Sequence, residues 1–272
     1  MLKRSLALFV STCVMYTGIC ANTGIDASTA ICRYNLIHGE KDVILTQGSE
    51  KIGCTWQNGQ IHDKALINSF YKMLKKQEGA FTVLDIGAQT GSFSLMSKFF
   101  PQSKWYAFEP ITEVVTELKK NLTLNEIGNV QVYSVGLNSF TGKTTLSLPD
   151  KSAWGLATIG KTPLRFQTVE TRTIDCITLD DFVNKHQVEK IDFIKIDTEG
   201  AEYFILIGGK NTIKKDRPII LMEFNYQNMQ QCGVGAPDVN KLLESMAYIS
   251  VRASADDVWA IPKERFATFS VD

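Results

Sequence analysis

The sequence predicts a doubly wound α/β fold, in which a mostly parallel sheet is covered by helices on both faces. Three observations carry that prediction. Residues 81–86 form a short apolar, β-branched run that ends abruptly at Gly87, as a central parallel strand buried on both faces would. Similar runs recur and end in acids at Glu109, Asp197 and Glu223, with amphipathic segments between them. The alternation breaks once, over residues 140–175, where apolar and polar residues alternate singly and an antiparallel insertion is expected.

Length and charge bound the reading. A chain of 272 residues suits one α/β domain with an N-terminal extension better than two full domains. The 29 Lys and Arg balance the 29 Asp and Glu, so no net field draws the chain to nucleic acid or an anionic surface.

At the start, Met1-Leu-Lys-Arg4 precedes an uncharged apolar run over residues 5–20, with small residues near Gly18 to Ala21. This is the pattern of a secretory signal peptide, with a signal-anchor as the alternative, and it predicts an exported or membrane-anchored protein. If the leader does not function, the chain is cytoplasmic. The expected division is therefore a leader over 1–21, a glycine-punctuated hairpin-like prelude over 22–63, and the main domain over 64–272. In an exported chain Cys32 and Cys54 are the candidate disulfide pair, the alternative being unpaired thiols. No Cys-x-x-Cys occurs and the histidines are only three, so a structural zinc site is not expected.

The elements follow in order. Residues 64–76 place Leu66, Ile67, Phe70, Met73 and Leu74 at helical spacing. After the strand at 81–86, Gly87 and Gly91 bracket Ala88-Gln89-Thr90, so the backbone can turn sharply and present amides at a helix start. A helix over 92–100 stops at Pro101. A second strand ends at Glu109, about twenty residues past the corner, where doubly wound folds place a carboxylate for a ribose diol. A helix over 111–124 leads to a third strand at 130–135 and to Asn138, whose loop would meet an adenine ring.

Within the insertion, Trp154 can stack on substrate or simply hold the loop. Helices are expected over 179–186, 203–213 and 239–246, with strands at 191–197, 217–223, 248–252 and 258–261. Asp197, Glu199 and Glu202 crowd the end of the fourth strand, a costly arrangement unless Lys195, a ligand or a metal offsets it.

The corner itself selects among nucleotides. A dinucleotide site needs a middle glycine where Gln89 stands, and a P-loop needs a lysine that Gly91-Ser92-Phe93 lacks. A nicotinamide-dependent oxidoreductase is thus disfavoured. Asp85-Ile-Gly87-Ala-Gln-Thr-Gly91 resembles the first motif of class I S-adenosylmethionine-dependent methyltransferases.

Together with Phe108-Glu109-Pro110, the stretch Ile194-Lys-Ile-Asp197-Thr-Glu199-Gly-Ala-Glu202 and residues 219–223, the chain resembles the FkbM family of methyltransferases over residues 60–250. The resemblance implies a class I, Rossmann-like sheet, S-adenosylmethionine as cofactor, and O-methylation of a hydroxyl on a sugar, lipid or small metabolite. It places Asp85, Gly87, Gln89, Gly91 and Glu109 around the donor, Asn138 near its adenine, and Asp197 beside the methyl group. Asp197 or Glu199 would take the acceptor's proton. Asp197, Glu223 and Asn225 also resemble the oxygen ligands of magnesium-dependent catechol methyltransferases. The competing reading, favoured by the export signal, is an exported binding module with a vestigial donor site.

Overall fold

A computed structural model describes residues 31–46, 49, 56–57, 60–61, 63–161 and 163–270. The expected leader and the Cys32–Cys54 pairing fall outside the described residues. The exported or membrane-anchored placement is corrected: no helix among the described residues is long and apolar enough to cross a membrane.

Two strands, β1 (Ile31–Tyr34) and β2 (Val43–Thr46), make an antiparallel hairpin, and β3 (Trp56–Gln57) and β4 (Gln60–Ile61) a second, shorter one. Helix α1 (Lys64–Lys75) buries the face that its spacing foretold, including Ile67, Phe70, Met73 and Leu74. Next come β5 (Thr82–Ile86), a 3₁₀ turn over Ser94–Phe99, β6 (Lys104–Phe108), α2 (Thr112–Leu124) and β7 (Val130–Tyr133). The expected α-helix after the glycine corner is thus a tighter 3₁₀ segment, held by bonds such as Met96 N–H to Phe93 O.

The insertion is β8 (Gly136–Leu137), β9 (Gly142–Leu148), a 3₁₀ turn over Lys151–Leu156, and β10 (Glu170–Ile177). Strands β9 and β10 are antiparallel, as the single-residue alternation requires. Helix α3 (Leu179–His186) starts at Thr178, whose hydroxyl accepts the Asp181 N–H.

Beyond it lie β11 (Phe193–Ile196), α4 (Glu202–Gly208), α5 (Lys210–Asp216), β12 (Ile219–Glu223), α6 (Tyr226–Gln231), α7 (Ala236–Ser245), β13 (Tyr248–Arg252) and β14 (Asp257–Pro262). One helix was expected over 203–213, but the chain breaks it at Gly209. A Cβ at Gly208 would come within 2.1 Å of the Asn138 carbonyl oxygen, so the glycine pair lets this segment close against the loop after β8.

The main sheet has seven strands in the order β13-β14-β12-β11-β5-β6-β7. Strand β14 runs antiparallel to both neighbours, and the other pairings are parallel. Side-chain alternation along β5 divides the core: Val83 joins α1 and the prelude on one face, while Leu84 and Ile86 join Phe182, Ile205 and Val239 on the other. Phe70 shows what holds the first face. It is fully buried, stacks on Trp259 at 5.9 Å and meets Phe93 edge-on. Burying one such ring contributes about 1.5–3 kcal/mol. The carboxyl ends of β5, β6, β11 and β12 lie along one edge, where ligands bind in sheets of this type.

Candidate active site

The glycine corner is fixed from both sides. Gly87 has φ +76°, and a Cβ there would lie 1.8 Å from the Asp197 carbonyl oxygen, so no other residue fits. The amides of Gly87 and Ala88 both donate to Phe108 O, at 3.0 and 2.9 Å. Gln89 takes a left-handed conformation, and its side-chain oxygen accepts from the Thr90 amide and hydroxyl at 2.8 Å. Gly91, at φ +106°, packs against Leu118.

A cleft enclosing about 690 Å³, measured to its open mouth, runs from this corner along the sheet edge. Its walls include Gly87, Gln89, Glu109, Asn138, Asp197 and Glu199. Glu109 Oε2 accepts the Gln89 amide at 3.2 Å and Oε1 the Ile111 amide at 2.9 Å. Burial raises its carboxyl to about 7 despite these two hydrogen bonds. Asn138 is buried, and its Oδ1 accepts the Ser139 amide at 2.7 Å. The insertion supplies the opposite wall through Leu146, Trp154 and Ile174, and Arg172 lies 4.8 Å from the Trp154 ring centre.

Asp85 and Gly91 are not in that wall. Asp85 sits on the other face of β5, fully buried, with Oδ2 accepting the Ser94 hydroxyl at 2.6 Å and Oδ1 at 3.5 Å from Lys195 Nζ. The reason is register: Asp85 and Lys195 are direct partners across β5 and β11. The same ammonium donates to Gly87 O at 2.7 Å and lies 3.7 Å from Asp197. Burial works against its charge, yet the carboxylates of Asp197 and Asp85 hold it above the usual lysine range. Asp85 therefore acts on the corner from beneath, through Lys195.

At the cleft's far end the acids converge. Asp197, Glu199 and Glu223 each offer an oxygen within 4.8 Å of the others. Two residues that sequence reasoning missed organise them. Arg165, from the insertion, donates to Glu199 Oε2 at 2.8 Å and lies 3.9 Å from Glu223. Asn228 donates to Glu199 Oε2 at 2.5 Å and to Glu223 Oε1 at 2.8 Å. Neither carries a motif; Asn228 lies one short turn beyond the acid-tipped β12, which is the only local hint. Burial raises Glu199 to about 8, with Asp197 adding to the effect, and holds Glu223 well above the carboxylate range. Glu202 stays out of the group: its Oε1 accepts the Thr198 amide and hydroxyl, capping the turn before α4.

Of the expected magnesium ligands, Asp197 and Glu223 come together, with Glu199 beside them, and Asn225 does not join them. Asn225 turns away to accept the Gln227 and Asn228 amides at the start of α6, and the Arg165 guanidinium already stands among the carboxylates.

A doubly wound sheet with a glycine corner and acid-tipped strands around one cleft defines a Rossmann-like small-molecule site. The family model of the methyltransferase FkbM domain matches residues 85–250, more than half of the chain. The chain belongs to the FkbM methyltransferase family.

It is similar to "Methyltransferase 1" of Beauveria bassiana, at 27% identity over 54% of this chain and 66% of the relative. It is also similar to "2-O-methyltransferase NoeI" of Sinorhizobium fredii, at 25% identity over 62% and 73%. "Hexuronic acid methyltransferase AglP" of Haloferax volcanii is 25% identical over 63% and 64%. Among solved structures, a methyltransferase FkbM from Methylobacillus flagellatus aligns with a TM-score of 0.45 at 15% identity, over 70% of this chain and 47% of that one. The chain thus spans less than two thirds of two of these relatives and under half of the solved one.

Proposed function

We propose that the chain is an S-adenosylmethionine-dependent O-methyltransferase acting on a hydroxyl of a sugar, lipid or small metabolite. The observation that carries this reading is the meeting, in one cleft, of the glycine corner, a buried carboxyl 3.2 Å from that corner's amide, and the acid group around Asp197. The names of two relatives, a 2-O-methyltransferase and a hexuronic acid methyltransferase, support a sugar-type acceptor.

When bound, S-adenosylmethionine supplies a methyl group on a cationic sulfur, which an acceptor oxygen displaces in line. Glu109, its oxygens already oriented by two backbone amides, accepts hydrogen bonds from the donor's ribose hydroxyls. Asn138 and the apolar wall of the insertion enclose the adenine. Asp197 and Glu199 place two carboxyl groups at the acceptor end.

Glu199 or Asp197 would take the proton that the acceptor hydroxyl gives up. A carboxyl raised to about 8 is a far better proton acceptor for an aliphatic alcohol than an ordinary one. Alignment of the two reactants supplies much of the remaining rate. Asn225 is committed to α6 and the Arg165 guanidinium lies beside Glu199, so the proton transfer is assigned here to the carboxyls.

The test is transfer of isotope-labelled methyl from S-adenosylmethionine to a panel of glycan, lipid and phenolic hydroxyls, with NAD binding titrated in parallel. Labelled methyl ether on any hydroxyl acceptor, lost in Asp197→Asn/Glu199→Gln, supports the reading. NAD binding without methyl transfer would replace it.

A further inference from the structure

Asn121 on α2 is a buried side chain outside the cleft. It is fully buried, and it joins three separate parts of the molecule. Its Nδ2 donates to Thr90 O in the glycine corner at 2.8 Å and to the Ser49 hydroxyl at 2.8 Å. Its Oδ1 accepts the Thr46 amide of β2 at 3.0 Å. Both amide protons of the side chain are thereby used, one inside the corner and one on the prelude.

The geometry behind this is a spacing match. One helical turn later, Asn125 Oδ1 accepts the Ile44 amide at 2.9 Å and its Nδ2 donates to Ile44 O at 2.6 Å. Residues four apart on a helix are separated by about 6 Å along its axis. Residues two apart on a strand are separated by about 6.6 Å. Two asparagines at i and i+4 can therefore read a strand's backbone at i and i+2, and α2 serves as the hydrogen-bonding neighbour that β2 lacks on that side. Thr46 and Ser49 also bond one another through their hydroxyls at 3.1 Å.

The corner needs this support. Its amides at 87, 88 and 89 are drawn toward β6, to Phe108 O and Glu109, while the Thr90 carbonyl points the opposite way into a fully buried position. Losing a buried hydrogen bond to that carbonyl costs about 1–3 kcal/mol, and rotation of the loop's peptides is one way to reduce the cost. Rotation would disturb the bonds that hold Phe108 O and the Glu109 carboxyl against the corner.

We propose that Asn121 is a positioning residue for the donor site. Through it, Thr46 and Ser49, which lie outside the matched family domain, hold the Thr90 peptide and set the orientation of the Gly87–Gly91 corner. The proposal rests on the reading of that corner as the S-adenosylmethionine site.

The experiment uses the full chain and titrates S-adenosylmethionine calorimetrically into wild type, Asn121→Ala, Asn121→Asp, Ser49→Ala and Asn125→Ala, with urea unfolding alongside. Asn121→Ala is expected to weaken donor binding about five- to tenfold, the loss of one buried hydrogen bond, while the rate at saturating donor changes less than about twofold. Asn121→Asp keeps the Thr46 contact and sets an acceptor against Thr90 O, so it is expected to weaken binding at least as much. It also serves if the alanine variant does not fold. Ser49→Ala frees one contact and is expected to weaken binding about twofold. Asn125→Ala, which loosens the same prelude without touching Thr90, is expected to lower stability with the dissociation constant unchanged. Unchanged donor binding in both Asn121 variants overturns the proposal and leaves the site reading intact. Absence of donor binding by the wild type overturns both.

Discussion

Gly87 and Asp197 directly follow the neighbouring strands β5 and β11 and approach closely through their backbones: a single carbon added at 87 would sit 1.8 Å from the carbonyl oxygen of 197. This contact joins the corner to the acid group, so the two halves of the site cannot move independently. Gly87→Ala must push β11 away and also force an L-residue to φ +76°. The expected cost is about 2–4 kcal/mol of stability by urea unfolding, with donor binding lost. A variant that unfolds like the wild type and binds donor normally would disprove the tight contact.

Glu109 predicts a pH signature. Its carboxyl titrates at about 7 in the folded protein against an ordinary 4.5, because burial outweighs its hydrogen bonds. Between those values the folded state holds a proton that the unfolded chain has released, so stability of the ligand-free protein falls as pH rises through that window. In Glu109→Gln this decline should disappear, as seen by urea unfolding at pH 5 and pH 8. Donor affinity should rise as pH passes about 7 in the wild type and stay flat in the variant.

The acid group predicts a second profile. If Glu199, raised to about 8, accepts the acceptor's proton, the rate at saturating substrates should increase with pH up to about 8 and then level off. Glu199→Gln should remove that limb and lower the maximal rate by about 10²–10⁴, with donor binding changed less than about twofold. A full rate with an unaltered profile would move the base to Asp197.

Lys195 and Asp85 predict a stability effect rather than a chemical one. Both are buried, so Lys195→Met leaves the carboxylate of Asp85 without its cation. The expected loss is about 3–5 kcal/mol. Replacing both, Asp85→Leu with Lys195→Met, should recover much of it, since a matched apolar pair leaves no buried charge. A single variant as stable as wild type would show that the ion pair is not a structural support.

The parts of this architecture written in local pattern were legible. The strand at 81–86 and the helix at 179–186 follow from their apolar patterns, and the acids Glu109, Asp197 and Glu223 mark strand ends that the topology must bring to one edge. The spacing of Gly87 and Gly91 announced the corner. Three things were not legible. Asp85 lies on the strand face away from the cleft, which only the pairing with Lys195 reveals. Arg165 reaches Glu199 from 34 positions away, and Asn121 reaches Ser49 from 72, separations at which no periodicity operates. The break at Gly209 had a visible signal in the glycine pair, but the neighbours that crowd the pair, the Asn138 backbone at Gly208 and the Leu179 side chain at Gly209, are far along the chain.

The central claim is that the cleft between Gly87, Glu109 and Asp197 holds the sulfonium donor. A crystal structure of the protein soaked with S-adenosylhomocysteine measures this directly. The predicted result is ribose hydroxyls within hydrogen-bonding distance of Glu109, adenine beside Asn138 and sulfur facing Asp197. A ligand seated elsewhere, or electron density in the cleft that Glu109 does not contact, would contradict the account.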